Sequence, residues 1–281
     1  MSNDLVLPSN ATALATAQNA FAGKDFTQSV AGDNLKRISI RGGMFRLMSG
    51  KQEIAVREER SLDVVVVGAA PHVHRQFYEG AYQEGVDASP ACWSSDGNAP
   101  DADARKQSDT CNTCPKNVKG SATDGKGKAC RYVQRIAVAL ANDMGGDVYG
   151  VQLPAMSIFG DTVNGGAPFR PYATFLSSQK VPMPSVVTKM RFDTNSAVPK
   201  LLFSCAGSGY IGDDNVPIVR KQMERDEVAK LIELKVFKQD TAASGVTPAT
   251  ATAAVAPTVP VVPAGAASTM AAAVTGWQTE E

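Results

Sequence analysis

Residues 91–132 read ACWSSDGNAPDADARKQSDTCNTCPKNVKGSATDGKGKACRY. Four of the five cysteines of the chain lie here: Cys92, Cys111, Cys114 and Cys130. The stretch is rich in Gly, Ser, Asp and Lys and poor in apolar residues, so hydrophobic burial cannot hold it together. The spacing C-x18-C-x2-C-x15-C contains one knuckle, CNTC, and two single cysteines. Four thiolates give zinc a closed tetrahedral shell, which is the structural rather than the catalytic arrangement. Binding of that kind supplies about 10–16 kcal/mol of apparent energy that becomes folding energy. An iron–sulfur cluster uses the same donors and stays open. His72 and His74 alternate on an extended segment and read as a surface or groove-facing pair; either imidazole can also replace one cysteine. Cys205, in a strand-like run, reads as a small buried hydrophobe.

The flanks decide what carries this insert. LKRISIRGGMFRLMSG reads as strand, with Gly42 and Gly43 marking a bulge or kink. SGKQ reads as a hairpin turn, and SLDVVVVGAAPHV as a buried β-branched strand. In RYVQRIAVALANDMGG, Val133, Ile136, Ala137 and Leu140 have helical spacing and Gly145–Gly146 supply a stop, so a helix is expected. DVYGVQLP is strand-like. PFRPYATFLSSQ is a short helix with Tyr172, Phe175 and Leu176 on one face. SVVTKMRFDTN and PKLLFSCAG are strands joined by a turn at Asn195–Ser196. DNVPIVRKQMERDEVAKLIEL is one amphipathic helix. The fold class expected is mixed β/α, an oligonucleotide-binding (OB-like) β-barrel with a zinc-binding insert and flanking helices.

Three regions follow. Residues 1–34 are a polar, Ala-rich N-terminal arm, and residues 35–236 the barrel domain with its insert at 88–132. Residues 237–281 are an Ala/Pro-rich tail expected to be disordered, tipped by Trp277, Glu280 and Glu281, which mark it as a partner-binding segment. The N-terminus has an early acid and no basic region before an apolar one, and no apolar run is long enough to span a bilayer. An intracellular location without membrane contact is expected.

The 281 residues carry zero formal net charge, which excludes a uniformly basic binder but not a local basic groove. Such a groove is visible. Arg105, Lys106, Lys116, Lys119, Lys126, Lys128, Arg131 and Arg135 cluster in and behind the insert. Arg37, Arg41, Arg46, Lys51 and Arg75 precede it, and Arg170 follows. Phe77, Tyr78, Tyr82, Trp93, Tyr132 and Tyr172 interleave with them. Single-strand binders combine a basic track for phosphates with aromatic platforms for bases. Arg37, Arg41, Arg46, Lys51, Arg75, Arg131, Arg135 and Arg170 are the expected phosphate contacts, and those six aromatics the expected stacking platforms. The chain has no Walker loop, HExxH, GxSxG or deaminase pattern, and its carboxylates are scattered, so it does not read as an enzyme.

CWSSDGNAP, CNTCPKNVKGS and GKGKACR, with the later PYATFLSSQKVPMPSVVTKMRFDTNSAVPKLLF, resemble the tailed-phage single-stranded DNA-binding (helix-destabilising) replication proteins, in their branch with a cysteine insert. The resemblance covers about residues 35–236. It implies an oligonucleotide-binding barrel, a structural zinc, and sequence-independent binding of single-stranded DNA in replication and recombination. It places the chain in the cytoplasm of an infected host cell, with the tail open to replication proteins and self-association on DNA open as well. The long tail with few acids departs from that pattern. The alternative is a zinc-ribbon-like accessory factor that binds a replication or transcription polymerase rather than nucleic acid. A zinc-dependent nuclease is a third reading, which the lack of an acid cluster disfavours.

Overall fold

The computed structural model describes residues 35–79 and 89–234, together with Thr16 and Ala20. Tyr82, Trp277, Glu280 and Glu281, and with them the tail and nearly all of the N-terminal arm, lie outside the described residues. Chain contacts separate Met1–Gln239 from Asp240–Glu281.

Within the first unit a single mixed sheet curls into a half-barrel. Its strands are β1 (Lys36–Ser39), β2 (Phe45–Ser49), β3 (Gln52–Arg57), β4 (Ser61–Ala69), β5 (His74–Phe77), β6 (Cys92–Ser94), β7 (Cys130–Leu140), β8 (Asp143–Pro154), β9 (Val186–Phe192) and β10 (Leu201–Tyr210). The order is β10-β9-β4-β7-β8-β1-β2-β3, with β5 on β7 and β6 on β5. All pairings are antiparallel except β1 with β8. Among the described residues four helices pack on this sheet: α1 (Ala155–Ile158), α2 (Phe169–Ser178), α3 (Val216–Met223) and α4 (Asp226–Ile232). Among the described residues no helix is long and apolar enough to cross a membrane.

The strand chemistry follows from two-sided burial. Val64 to Val67 are all buried because both faces of β4 are covered, which is why the run is continuous rather than alternating. Val64 and Val66 join Ile136, Val138, Phe45, Phe203 and the α2 side chains Phe169, Tyr172 and Leu176 in one core. Val65 and Val67 join Ala137, Ala139, Val148 and the helix residues Val219, Val228 and Leu231 in the other. Burying a Val or Leu of this kind contributes about 1.5–3 kcal/mol. Helix α4 comes close because two strand positions lack a side chain. A Cβ at Gly68 would stand 2.6 Å from Val228 Cγ1, and one at Gly150 would stand 2.9 Å from Leu231 Cδ2.

Three expectations are corrected. The segment expected to be a helix after the insert is β7, the strand that pairs with β4, β5 and β8. Val138 and Ala139 are as buried as the residues at helical spacing, so the apparent period was a subset of a continuous apolar run. Gly145 and Gly146 are inside β8, where Gly146 O accepts hydrogen bonds from Gln222 and Arg225. The last helix is two, broken where Arg225 takes extended geometry and donates to Gly146 O and Glu227. Cys205 is exposed on the edge strand β10 rather than buried.

Candidate functional site

Strands β6, β5 and β7 form a three-stranded corner at the start of β7. Phe77 is the cross-strand partner of Cys92 on one side and of Cys130 on the other. Arg75 pairs likewise with Ser94 and Tyr132. Directly opposed residues share a face of the sheet. One face therefore carries Cys92, Phe77, Cys130, Ser94, Arg75 and Tyr132, and the insert folds over it. Cys111 and Cys114 descend from the insert to line the same small pocket as Cys92, Cys130, Arg75 and Phe77.

The insert closes by hydrogen bonds, as its composition requires. Its regular structure among the described residues is β6 and a single 3-10 turn, Pro115–Asn117, which opens from the knuckle. Cys111 N donates to Asn98 O at 2.8 Å, and Asn117 Nδ2 donates to Cys111 O at 2.9 Å. Asn117 N donates to Cys114 O at 2.9 Å. Ser121 Oγ donates to the carbonyls of Lys116 and Val118 and accepts from Ala129 N at 3.0 Å, which returns the chain to Cys130. Arg75 joins insert and sheet: its guanidinium donates to Cys111 O and to Asn112 Oδ1, and lies 4.4 Å from the Tyr132 ring centroid.

Burial pushes the Cys130 thiol up to about 11; Arg75 opposes this, and the neighbouring sulfurs of Cys111, Cys114 and Cys92 add to it. Cys92 is raised too, first by burial. Among the described residues no group of three or more His, Cys, Asp or Glu side chains stands in an arrangement that holds a metal ion. All four thiols nonetheless line the one pocket. Its donor chemistry fits a soft or borderline cation such as zinc, whose binding deprotonates the thiols it takes. His74 is buried on the opposite face of the corner and His72 is exposed; neither lines the thiol pocket.

From Tyr132 a chain of rings and cations runs outward. Lys128 Nζ lies 6.0 Å from the Tyr132 centroid, on the same ring that Arg75 approaches. Tyr132 meets Phe159 edge-on at 5.5 Å. Arg170, from the first turn of α2, lies 5.2 Å from the Phe159 centroid. Each cation is within the reach at which an aromatic face attracts it. Phe159 keeps 37% of its surface exposed. On the opposite face of the corner Trp93, Gln76 and Arg131 are cross-strand neighbours, and Tyr78 Oη donates to Gln76 Oε1. Burial raises the Tyr78 phenol, and nearby Arg131 pulls the other way.

The residues expected from the sequence therefore divide. Tyr132 and Arg170 meet through Phe159. Tyr78, Trp93 and Arg131 share the opposite face. Four are internal. Tyr172 is 2% exposed, packs on Phe203 and hydrogen-bonds Thr188, so it is a core residue and not an open platform. Phe77 is buried with Lys116 Nζ at 5.1 Å from its ring. Arg75 is 6% exposed and braces the insert. Arg135 donates its Nε to Leu231 O at 2.9 Å beneath α4. Arg46 is ion-paired to Glu53 at 2.8 Å, while Arg37, Arg41 and Lys51 are exposed on or beside β1 and β2.

Phe159, Lys116 and Lys128 complete the arrangement and were not singled out as contacts from the sequence. The basic run 126–131 did signal Lys128. Nothing local signalled Phe159, whose role is set by Tyr132, far away in the chain. Phe175, expected on one face with Tyr172 and Leu176, points outward while those two point in.

No protein-family model, curated protein or solved structure matches this chain.

Proposed function

We propose that this chain binds single-stranded DNA without sequence preference, and that zinc held by Cys92, Cys111, Cys114 and Cys130 staples its insert. The observation that carries this reading is the succession Lys128, Tyr132, Phe159, Arg170, in which two partly exposed rings in edge-on contact are flanked by a cation at each end. Phosphates take the cations and unpaired bases take the rings, the pairing of chemistries that single strands require. The half-barrel sheet is compatible with an oligonucleotide-binding barrel, the fold the reading assumes.

Zinc would supply a closed thiolate shell and the folding energy that so polar an insert lacks. The four sulfurs would have to draw in to about 2.3 Å from the ion. Arg75, Asn117 and Ser121 already tie the loops that carry them. The arrangement offers binding groups, and in this reading the chain acts by holding a single strand.

The test is competition. A labelled dT oligonucleotide bound to the purified full chain is challenged with unlabelled single strand and with duplex of equal nucleotide concentration. Displacement by single strand alone supports the reading; equal displacement by duplex, or absence of binding, overturns it.

A further inference from the structure

Helix α2 presents an open groove of about 510 Å3 whose walls include Phe159, Arg170, Pro171, Thr174, Phe175 and Ser178. This is within the roughly 300–1,000 Å3 of small-ligand clefts. Phe175 is 55% exposed and Phe159 37%, so two large rings flank one opening to solvent. Among the described residues Phe175 makes no ring contact, whereas Phe159 is held by Tyr132 and Arg170. Arg170, Thr174 and Ser178 follow one another at four-residue intervals and so form a single stripe along α2. Among the described residues Arg170 is the one charged side chain in the wall, and no carboxylate lines it. The groove is thus lined by one cation, two hydroxyls and two large rings.

We propose that this groove is a base-stacking slot, the specific subsite of the single-strand reading given above, on which it rests. One unpaired base enters between Phe159 and Phe175, the adjoining phosphate meets Arg170, and the Thr174 and Ser178 hydroxyls lie beside the backbone. The chemistry selects this occupant. A planar guanidinium presents a fork of donors that matches phosphate oxygens. The two rings in its wall accept any base, because every base has a π-face. An apolar peptide side chain gains little from so open a groove and leaves Arg170 unmatched.

The test uses the full chain and a fluorescently labelled dT oligonucleotide at low and high salt. Phe175→Ala is expected to weaken binding about 5- to 150-fold, the loss of one stacked base, with the log–log salt slope unchanged. Phe175→Trp is expected to bind as well as the native chain, and Phe175→Leu as poorly as the alanine variant. Arg170→Ala is expected to lower the salt slope by about 0.7, one phosphate. Phe175 is exposed, so its variants should melt with the native chain, and this is measured alongside. Native-like binding by Phe175→Ala or by Phe175→Leu, while the native chain binds dT, overturns the slot and leaves the single-strand reading standing. Failure of the native chain to bind dT overturns both.

Discussion

Cys92 and Cys130 are cross-strand partners of the same residue, Phe77, on opposite sides of it. Two strand spacings, about 9.6 Å, therefore separate their backbones. That exceeds the roughly 7 Å beyond which two cysteines cannot be bridged by a disulfide without backbone movement. The corner brings these thiols to one pocket while keeping them from closing on each other directly.

The knuckle is the first place to test that use. Replacing Cys111 and Cys114 by Ser should release one zinc per chain and lower the melting temperature. Metal analysis of the purified protein and a thermal melt check this together. A double variant that keeps its metal and its melting temperature would show that the four cysteines are not the ligands.

Arg75 separates structural from binding roles. It is buried, donates to Cys111 O and Asn112 Oδ1, and lies on Tyr132. Hydrogen bonds from a charged group are worth about 1.5–3 kcal/mol. Arg75→Ala should lose about that much stability in urea unfolding, and Arg75→Lys should recover only part of it, since an ammonium cannot reproduce the planar fork. The salt slope of oligonucleotide binding by the folded variant should not change. A stable Arg75→Ala protein with a shallower slope would return Arg75 to the phosphate contacts.

Much of the sheet was legible in the sequence, and the reasons differ by element. Val64–Val67 and the β9–β10 hairpin announced themselves through β-branched runs and a polar turn. β7 did not, because a strand buried on both faces has no period, and a helical subset can be picked from any continuous apolar run. The four cysteines were visible as a group, and the corner brings all four to one pocket. Their neighbours were less so. Arg75 and Arg135 looked like surface cations, but their placement depends on strands and helices distant in the chain. Tyr172 and Phe175, expected on one face of α2, part there: Tyr172 and Leu176 face the core and Phe175 faces solvent.

Helix α4 should be intolerant of a methyl group beneath it. Gly68→Ala places a carbon against Val228 Cγ1, and overpacking of this kind costs about 1–3 kcal/mol. Adding Val228→Ala should cost less in the Gly68→Ala background than in the native one, a coupling that a double-mutant cycle in urea measures directly. Strict additivity would mean that α4 does not sit against β4 at this point.

His74 provides a pH signature. It is 4% exposed and its Nδ1 has no hydrogen-bond partner among the described residues. Burial lowers its pKa, nearby Arg135 and His72 lower it further, and Asp101 opposes them. The unfolded chain therefore binds a proton more readily than the folded one as the pH falls below about 6.5. The stabilising contribution is fully present above that pH and is lost as the pH drops through the lower folded value. Melting temperatures from pH 7.5 to 5 should fall more steeply for the native chain than for His74→Gln. Parallel curves would show that His74 is protonated without penalty.

We propose that phosphates and bases of a single strand meet the cations and rings around Tyr132 and Phe159. The most direct test of this is a fluorescence-anisotropy titration of a labelled dT oligonucleotide with the purified chain at several salt concentrations. Tight binding is expected at low salt, weakening linearly on logarithmic axes with a slope of about −0.7 for each phosphate neutralised. Binding that does not change with salt, or no binding at the lowest salt, would contradict it.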